Sequence, residues 1–124
     1  MNDILIYIGS AAIILWGIAH LIPTKAIVKS FGDISSDNKK VLAMEIIAEG
    51  LTLIFLGLVP LLFIIMSDGE NVTVNRIISA CALMLLAMAL LTLFTGARTP
   101  TIWYKICPAV KTVVAVLFML GSLL

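Results

Sequence analysis

Charge is scarce in this sequence. Asp, Glu, Lys and Arg make up 12% of its 124 residues, about half the share of an ordinary soluble domain, and the formal net charge is +1. So small a balance excludes nucleic-acid binding, which needs a basic face, and so little charge excludes a solvated disordered coil. Cysteine is nearly missing as well: Cys81 and Cys107 are the two present, too few for a disulfide framework and in no Cys-x-x-Cys spacing. Histidine occurs once, at His20, so haem held by two histidines would require a dimer. Apolar residues fill the remaining space, at 62% against roughly 45–50% in a soluble protein. At this length the chain is one domain, residues 1–124, and its composition is that of an integral membrane protein.

Stretches poor in charge predict four spans, at about 4–22, 41–66, 77–97 and 106–124. The first, at about 1.5 Å of rise per residue, is roughly 28 Å long and matches a hydrocarbon core of about 30 Å. Lipid tolerates no unsatisfied backbone group, and four short runs are too few for a barrel, so the expected fold is an all-α four-transmembrane-helix bundle. The opening Met1-Asn2-Asp3 has no basic region, so the first apolar run reads as a span and not as a cleaved signal.

The connections carry further signals. Pro23 ends the first helix, and the stretch from Lys25 to Phe31 mixes apolar residues with lysines, as a short amphipathic helix at the headgroup boundary does; Gly32 stops it. Ser35, Ser36, Asp37 and Asn38 offer N-caps for the second span, and Pro108 suits the first turn of the fourth. Trp103 and Tyr104 fit an aromatic belt. Lys25, Lys29, Lys39, Lys40, Arg98, Lys105 and Lys111 lie in connections one and three, against Arg76 alone in connection two. Connections one and three are therefore expected in the cytoplasm, with both termini on the opposite side. Asn71-Val72-Thr73 matches a glycosylation sequon by its tripeptide alone.

Polar residues inside the spans are the functional candidates, because each is costly in hydrocarbon unless paired or hydrated. Glu45 and Glu49 are four apart and share a helical face that Thr52 continues, while Gly9, Ile13, Trp16 and His20 form a stripe on the first span. Thr92, Thr95, Gly96 and Thr99 line the end of the third. Trp16, His20, Glu45, Glu49, Arg98 and Lys111 all collect at one membrane face, where a packed bundle can turn them toward a common pocket. Each has a plainer reading: wetted surface carboxylates for Glu45 and Glu49, a helix-end cation for His20, snorkelling side chains for Arg98 and Lys111. Glu49, the deeper carboxylate, is expected to face inward and to stay charged only beside a cation from His20, Arg98 or Lys111. His20, Glu45 and Glu49 are enough ligands in number for an open zinc or non-haem iron site, but they come from two helices without a second histidine, so no metal is expected. Cys81 and Cys107 belong to opposite faces and should be unbridged; Cys107 has neither a second sulfur nor a histidine near it in sequence.

Trp16-Gly17-Ile18-Ala19-His20 leading into Pro23, then Met44-Glu45-Ile46-Ile47-Ala48-Glu49-Gly50-Leu51 followed by Phe55-Leu56-Gly57, resembles the first two helices of DoxX-like membrane proteins. The pattern positions are Gly17, His20, Glu45 or Glu49, and Gly57; the segment from Gly96 to Pro108 has no counterpart in it. The resemblance implies a four-helix membrane arrangement, and in some DoxX-like proteins an association with quinone-linked sulfur oxidation and respiratory complexes. With the polar pocket, this predicts a redox-associated subunit that binds a quinone or similar apolar ligand, alone as a homo-oligomer or beside a membrane oxidoreductase. The alternatives are an oligomeric proton, cation or small-solute transport module and a structural subunit of a larger complex.

Overall fold

The computed structural model describes residues 2–68 and 71–124. Its elements follow in the order α1 (Asp3–Leu21), α2 (Thr24–Ser30), α3 (Ser36–Met66), α4 (Val72–Phe94), a 3₁₀ turn (Gly96–Arg98) and α5 (Ile102–Leu123). Four of them, α1, α3, α4 with its 3₁₀ extension, and α5, are long and apolar enough to cross a membrane. The chain is an all-α multi-pass membrane protein.

Local chemistry explains the boundaries. The Ser35 side chain accepts from the Asn38 N–H and caps α3, and Asn71 accepts from the Thr73 N–H and caps α4, which is what the sequon residue does here. Gly32, at φ 75°, takes the left-handed conformation that ends the short α2. The fourth span begins at Ile102, four residues before the expected 106, and Pro108 lies inside the helix instead of in its first turn. The reason is the tight 3₁₀ turn: Arg98 and Thr99 N–H groups bond to the Thr95 and Gly96 carbonyls at 3.0 and 3.1 Å, so the chain reverses quickly and Trp103 to Cys107 are free to be helical. Pro60 inside α3 is a second case. Neighbouring helices tolerate the donor that each proline removes.

The helices alternate in direction. The Asn2 N–H bonds to the Gly121 carbonyl at 2.7 Å, which sets the start of α1 beside the end of α5, and Gly17 meets Gly50 while Gly57 meets Ser10, which runs α1 against α3. α1 packs most extensively on α3 and also on α5, α5 packs on α4, and α3 touches α4 more lightly. The core between them is apolar: Ile6, Ile13, Leu53, Ile78, Leu85, Val114 and Phe118 are all buried. Leu15, Phe55, Leu83, Leu91 and Val113 point outward and remain exposed on the bundle, as lipid-facing side chains must.

Lipid is as apolar as the core, so the helices are held by close packing more than by expulsion from water. The α1–α3 seam shows it. A Cβ on Gly17 would sit 2.8 Å from the Gly50 carbonyl oxygen and 2.9 Å from the Ile54 nitrogen, backbone atoms that cannot step aside. Gly17→Ala should therefore separate the helices and cost about 1–3 kcal/mol. Thermal unfolding in detergent measures this; an unchanged midpoint would mean that the seam is not close-packed.

Candidate functional site

The polar side chains meet at the end of the bundle where α1, α3 and α5 converge near the 3₁₀ turn. Lys111, fully buried on α5, donates to Glu49 Oε1 on α3 and, at 2.9 Å, to the Thr92 hydroxyl oxygen on α4. Thr92 spends its own proton on the Met88 carbonyl at 2.9 Å, which leaves its lone pairs to the ammonium. His20 Nε2 lies 3.5 Å from the other carboxylate oxygen, Glu49 Oε2, and 3.7 Å from Cys107 Sγ. The Trp16 indole N–H donates to the same sulfur at 3.3 Å, and its ring leans on the His20 imidazole with centroids 5.9 Å apart. Four helices thus contribute to one connected cluster.

Of the residues expected at a common pocket, Trp16, His20, Glu49 and Lys111 come together. Two do not. Glu45, one turn earlier on α3, is exposed, with no ion-pair partner among the described residues; Arg98 is exposed, its guanidinium 5.5 Å from the Phe94 ring centroid. Thr52, on the glutamate stripe, turns its hydroxyl back to the Ala48 carbonyl at 2.7 Å. Lys111 is not a snorkelling side chain: its ammonium is enclosed, because α5 starts early enough to carry that position inside the bundle. Thr92 and Cys107 are the additions. Thr92 was legible as a polar residue in an apolar helix, while nothing near Cys107 in sequence announces a histidine that is 87 positions away. Both cysteines are free.

Above this cluster lies a cavity of about 750 Å³ between the end of α1, α2, α3 and the start of α5. Its walls are largely apolar and aromatic, with Trp16, Ile27, Phe31, Ile46, Trp103 and Tyr104, and its polar lining includes His20 and Glu49 along with Ser30, Thr99 and Thr101. The volume falls within the roughly 300–1,000 Å³ of small-molecule sites, and the mix of apolar wall and few polar groups is typical of them. Trp103 and Tyr104, the expected belt residues, are part of this wall.

No family model matches the chain, and comparison with curated proteins and with solved structures likewise returns no match.

Proposed function

We propose that the chain is a membrane subunit that holds a quinone or a similar flat, apolar carbonyl ligand in the aromatic cavity, with its polar edge toward His20 and Glu49. The observation that carries this reading is the placement of one imidazole and one carboxylate in the lining of a 750 Å³ aromatic cavity. A quinone carbonyl needs a hydrogen-bond donor, which His20 supplies, and its reduction consumes protons, which Glu49 can relay; Trp16, Trp103 and Tyr104 give the ring its wall. Electrons come from a membrane oxidoreductase partner in this reading. The lysine excess of connections one and three supports a cytoplasmic position for the cavity in this reading.

The residues of the DoxX-like pattern fit a four-helix relative of that family. Gly17 lies against the Gly50 backbone and Gly57 against that of Ser10 across the α1–α3 seam, and His20 and Glu49 line the cavity, while Glu45 is exposed. The transport and structural-subunit readings draw less from the geometry. Toward the far face Ile13, Leu53, Leu85 and Phe118 fill the bundle interior, and among the described residues the buried polar groups there are isolated ones such as Ser10 and Ser122.

Titration of the purified protein with a short-chain quinone, followed by quenching of Trp16 and Trp103 fluorescence, tests the reading. Saturable binding is expected, weakened about tenfold in His20→Ala, the worth of one hydrogen bond to a ligand carbonyl. Quenching that stays linear with quinone, or that is the same in His20→Ala, overturns it.

A further inference from the structure

We infer that His20 Nε2, Glu49 Oε2 and Cys107 Sγ form a three-ligand site for a divalent metal ion of the zinc class, with its fourth position open to the aromatic cavity. Such a site shares His20 and Glu49 with the polar groups of the proposed ligand cavity but adds Cys107, which the cavity reading does not use, and it is tested through that cysteine. The three residues come from α1, α3 and α5, and their ligand atoms all lie within 4.8 Å of one another. The spacings point to an ion between them. The 3.5 Å from His20 Nε2 to Glu49 Oε2 is long for a direct N–H···O hydrogen bond, which clusters near 2.9 Å, while the 3.7 Å from His20 Nε2 to the larger Cys107 sulfur is ordinary contact. A tetrahedral zinc ion with Zn–N and Zn–O of about 2.1 Å and Zn–S of about 2.3 Å holds its ligands roughly 3.4 Å (N to O) and 3.6 Å (S to N) apart. Two of the three separations match within a few tenths of an ångström; the third, from the Glu49 oxygen to the Cys107 sulfur, lies within 4.8 Å and has to shorten when the ion enters.

The surroundings support the same assignment. Imidazole, thiolate and carboxylate together are a zinc-type donor set, and three protein ligands leave the fourth position that catalytic sites keep open. Each anionic ligand has its own orienting partner. Trp16 donates to the sulfur, and Lys111 holds Glu49 by the oxygen facing away from His20, leaving Oε2 to the metal. His20 and Glu49 line the cavity while Cys107 is fully buried behind them, so the free coordination position looks outward into the cavity. Binding forms the metal–sulfur bond and breaks the S–H bond: one M²⁺ enters and one H⁺ leaves to solvent, with no change of oxidation state. With Cys107 as thiolate, Glu49 as carboxylate and Lys111 as ammonium, the ligand set carries one negative charge, and the filled site carries one positive charge.

Cobalt(II) is the probe. The purified protein, stripped with chelator and given Co²⁺ in the absence of any quinone, is expected to bind one ion per chain. Tetrahedral d–d absorption and a near-ultraviolet thiolate-to-cobalt band should appear, and Zn²⁺ should displace both. The thiolate band should vanish in Cys107→Ser and persist in Cys81→Ser, which makes the same chemical change at the other cysteine. His20→Ala should weaken Co²⁺ binding on the order of 100-fold, and Trp16→Phe, which removes the N–H to sulfur, about tenfold. Affinity should rise about tenfold per pH unit while the thiol is protonated, reflecting the single proton released. The titratable and charged groups facing Cys107 are His20 on α1, Glu49 on α3, and Tyr104 and Lys111 on its own helix. Absence of a thiolate band in the unaltered protein, or a band that survives Cys107→Ser, overturns the assignment. Both readings are taken without quinone and turn on Cys107→Ser, so their failure is distinguishable from failure of quinone binding to the unaltered protein.

Discussion

Lys111→Met should be the most damaging single substitution near the site, lowering stability by about 3–5 kcal/mol, because it strips the cation from a carboxylate largely enclosed in the bundle. Glu49 is only 29% exposed in its side chain, and its Oε1 would lose a fully buried ammonium as partner. The Thr92 hydroxyl would lose the same donor. The double variant Lys111→Met with Glu49→Gln removes both charges and should recover most of the loss, since a neutral pair carries no uncompensated charge. Glu49→Gln alone should also be severe, leaving the ammonium with Thr92 and an amide. Thermal midpoints of the four proteins in one detergent make a double-mutant cycle. Additive losses would show that Lys111 and Glu49 do not depend on each other and that the ion pair does not hold the cluster.

Phe118→Ala should cost about 3 kcal/mol, the lower end of what phenylalanine truncation costs in a soluble core. Phe118 is fully buried on α5, and its ring lies against the bare backbone of Gly9: a Cβ there would stand 2.9 Å from Cε1. In a bilayer the unfolded helices still rest in hydrocarbon, so much of the transfer contribution disappears and the loss of packing contacts remains. The residue lies several turns from Cys107 along α5, toward the other membrane face. Quinone and cobalt affinities should therefore be unchanged at temperatures where the variant remains folded. A midpoint equal to that of the unaltered protein, or a changed cobalt affinity, would contradict this separation of packing from site.

The spans were legible because hydrocarbon tolerates so little charge: the gaps between charged residues mark α1, α3, α4 and α5 almost directly. Where the ends differ from expectation, a local turn decides the matter. Trp103, Tyr104 and Lys105 have the composition of a membrane belt, and Pro108 has the chemistry of a helix start. Hydrogen bonds at Thr95 and Gly96 nevertheless close the preceding turn early enough for α5 to absorb all four. At the site, the inward face of Glu49 and the depth of His20 follow from helical spacing within one segment. Exposure of Glu45 one turn away was not separable from burial of Glu49 by period alone, since both lie on the same face. Lys111 and Cys107 were hidden for another reason. Whether a lone lysine reaches out to headgroups or inward to a carboxylate depends on which neighbour α5 meets, and this is a property of packing between segments far apart in sequence.

The length of α3 bears on how binding constants for this protein are to be expressed. Its 31 residues extend about 46 Å, well beyond a hydrocarbon core of about 30 Å, so its first turns, beside α2, stand among the headgroups. The cavity is bounded by α2 and by Ile46 and Glu49 on α3, near that end of the helix. The apolar ligand proposed for the cavity would arrive there by lateral diffusion within a leaflet, in two dimensions. Its effective concentration is then its mole fraction in lipid or detergent and not its molarity in the sample. Doubling the amphiphile at fixed protein and fixed total ligand should double the apparent Kd, with no change at all in the cavity.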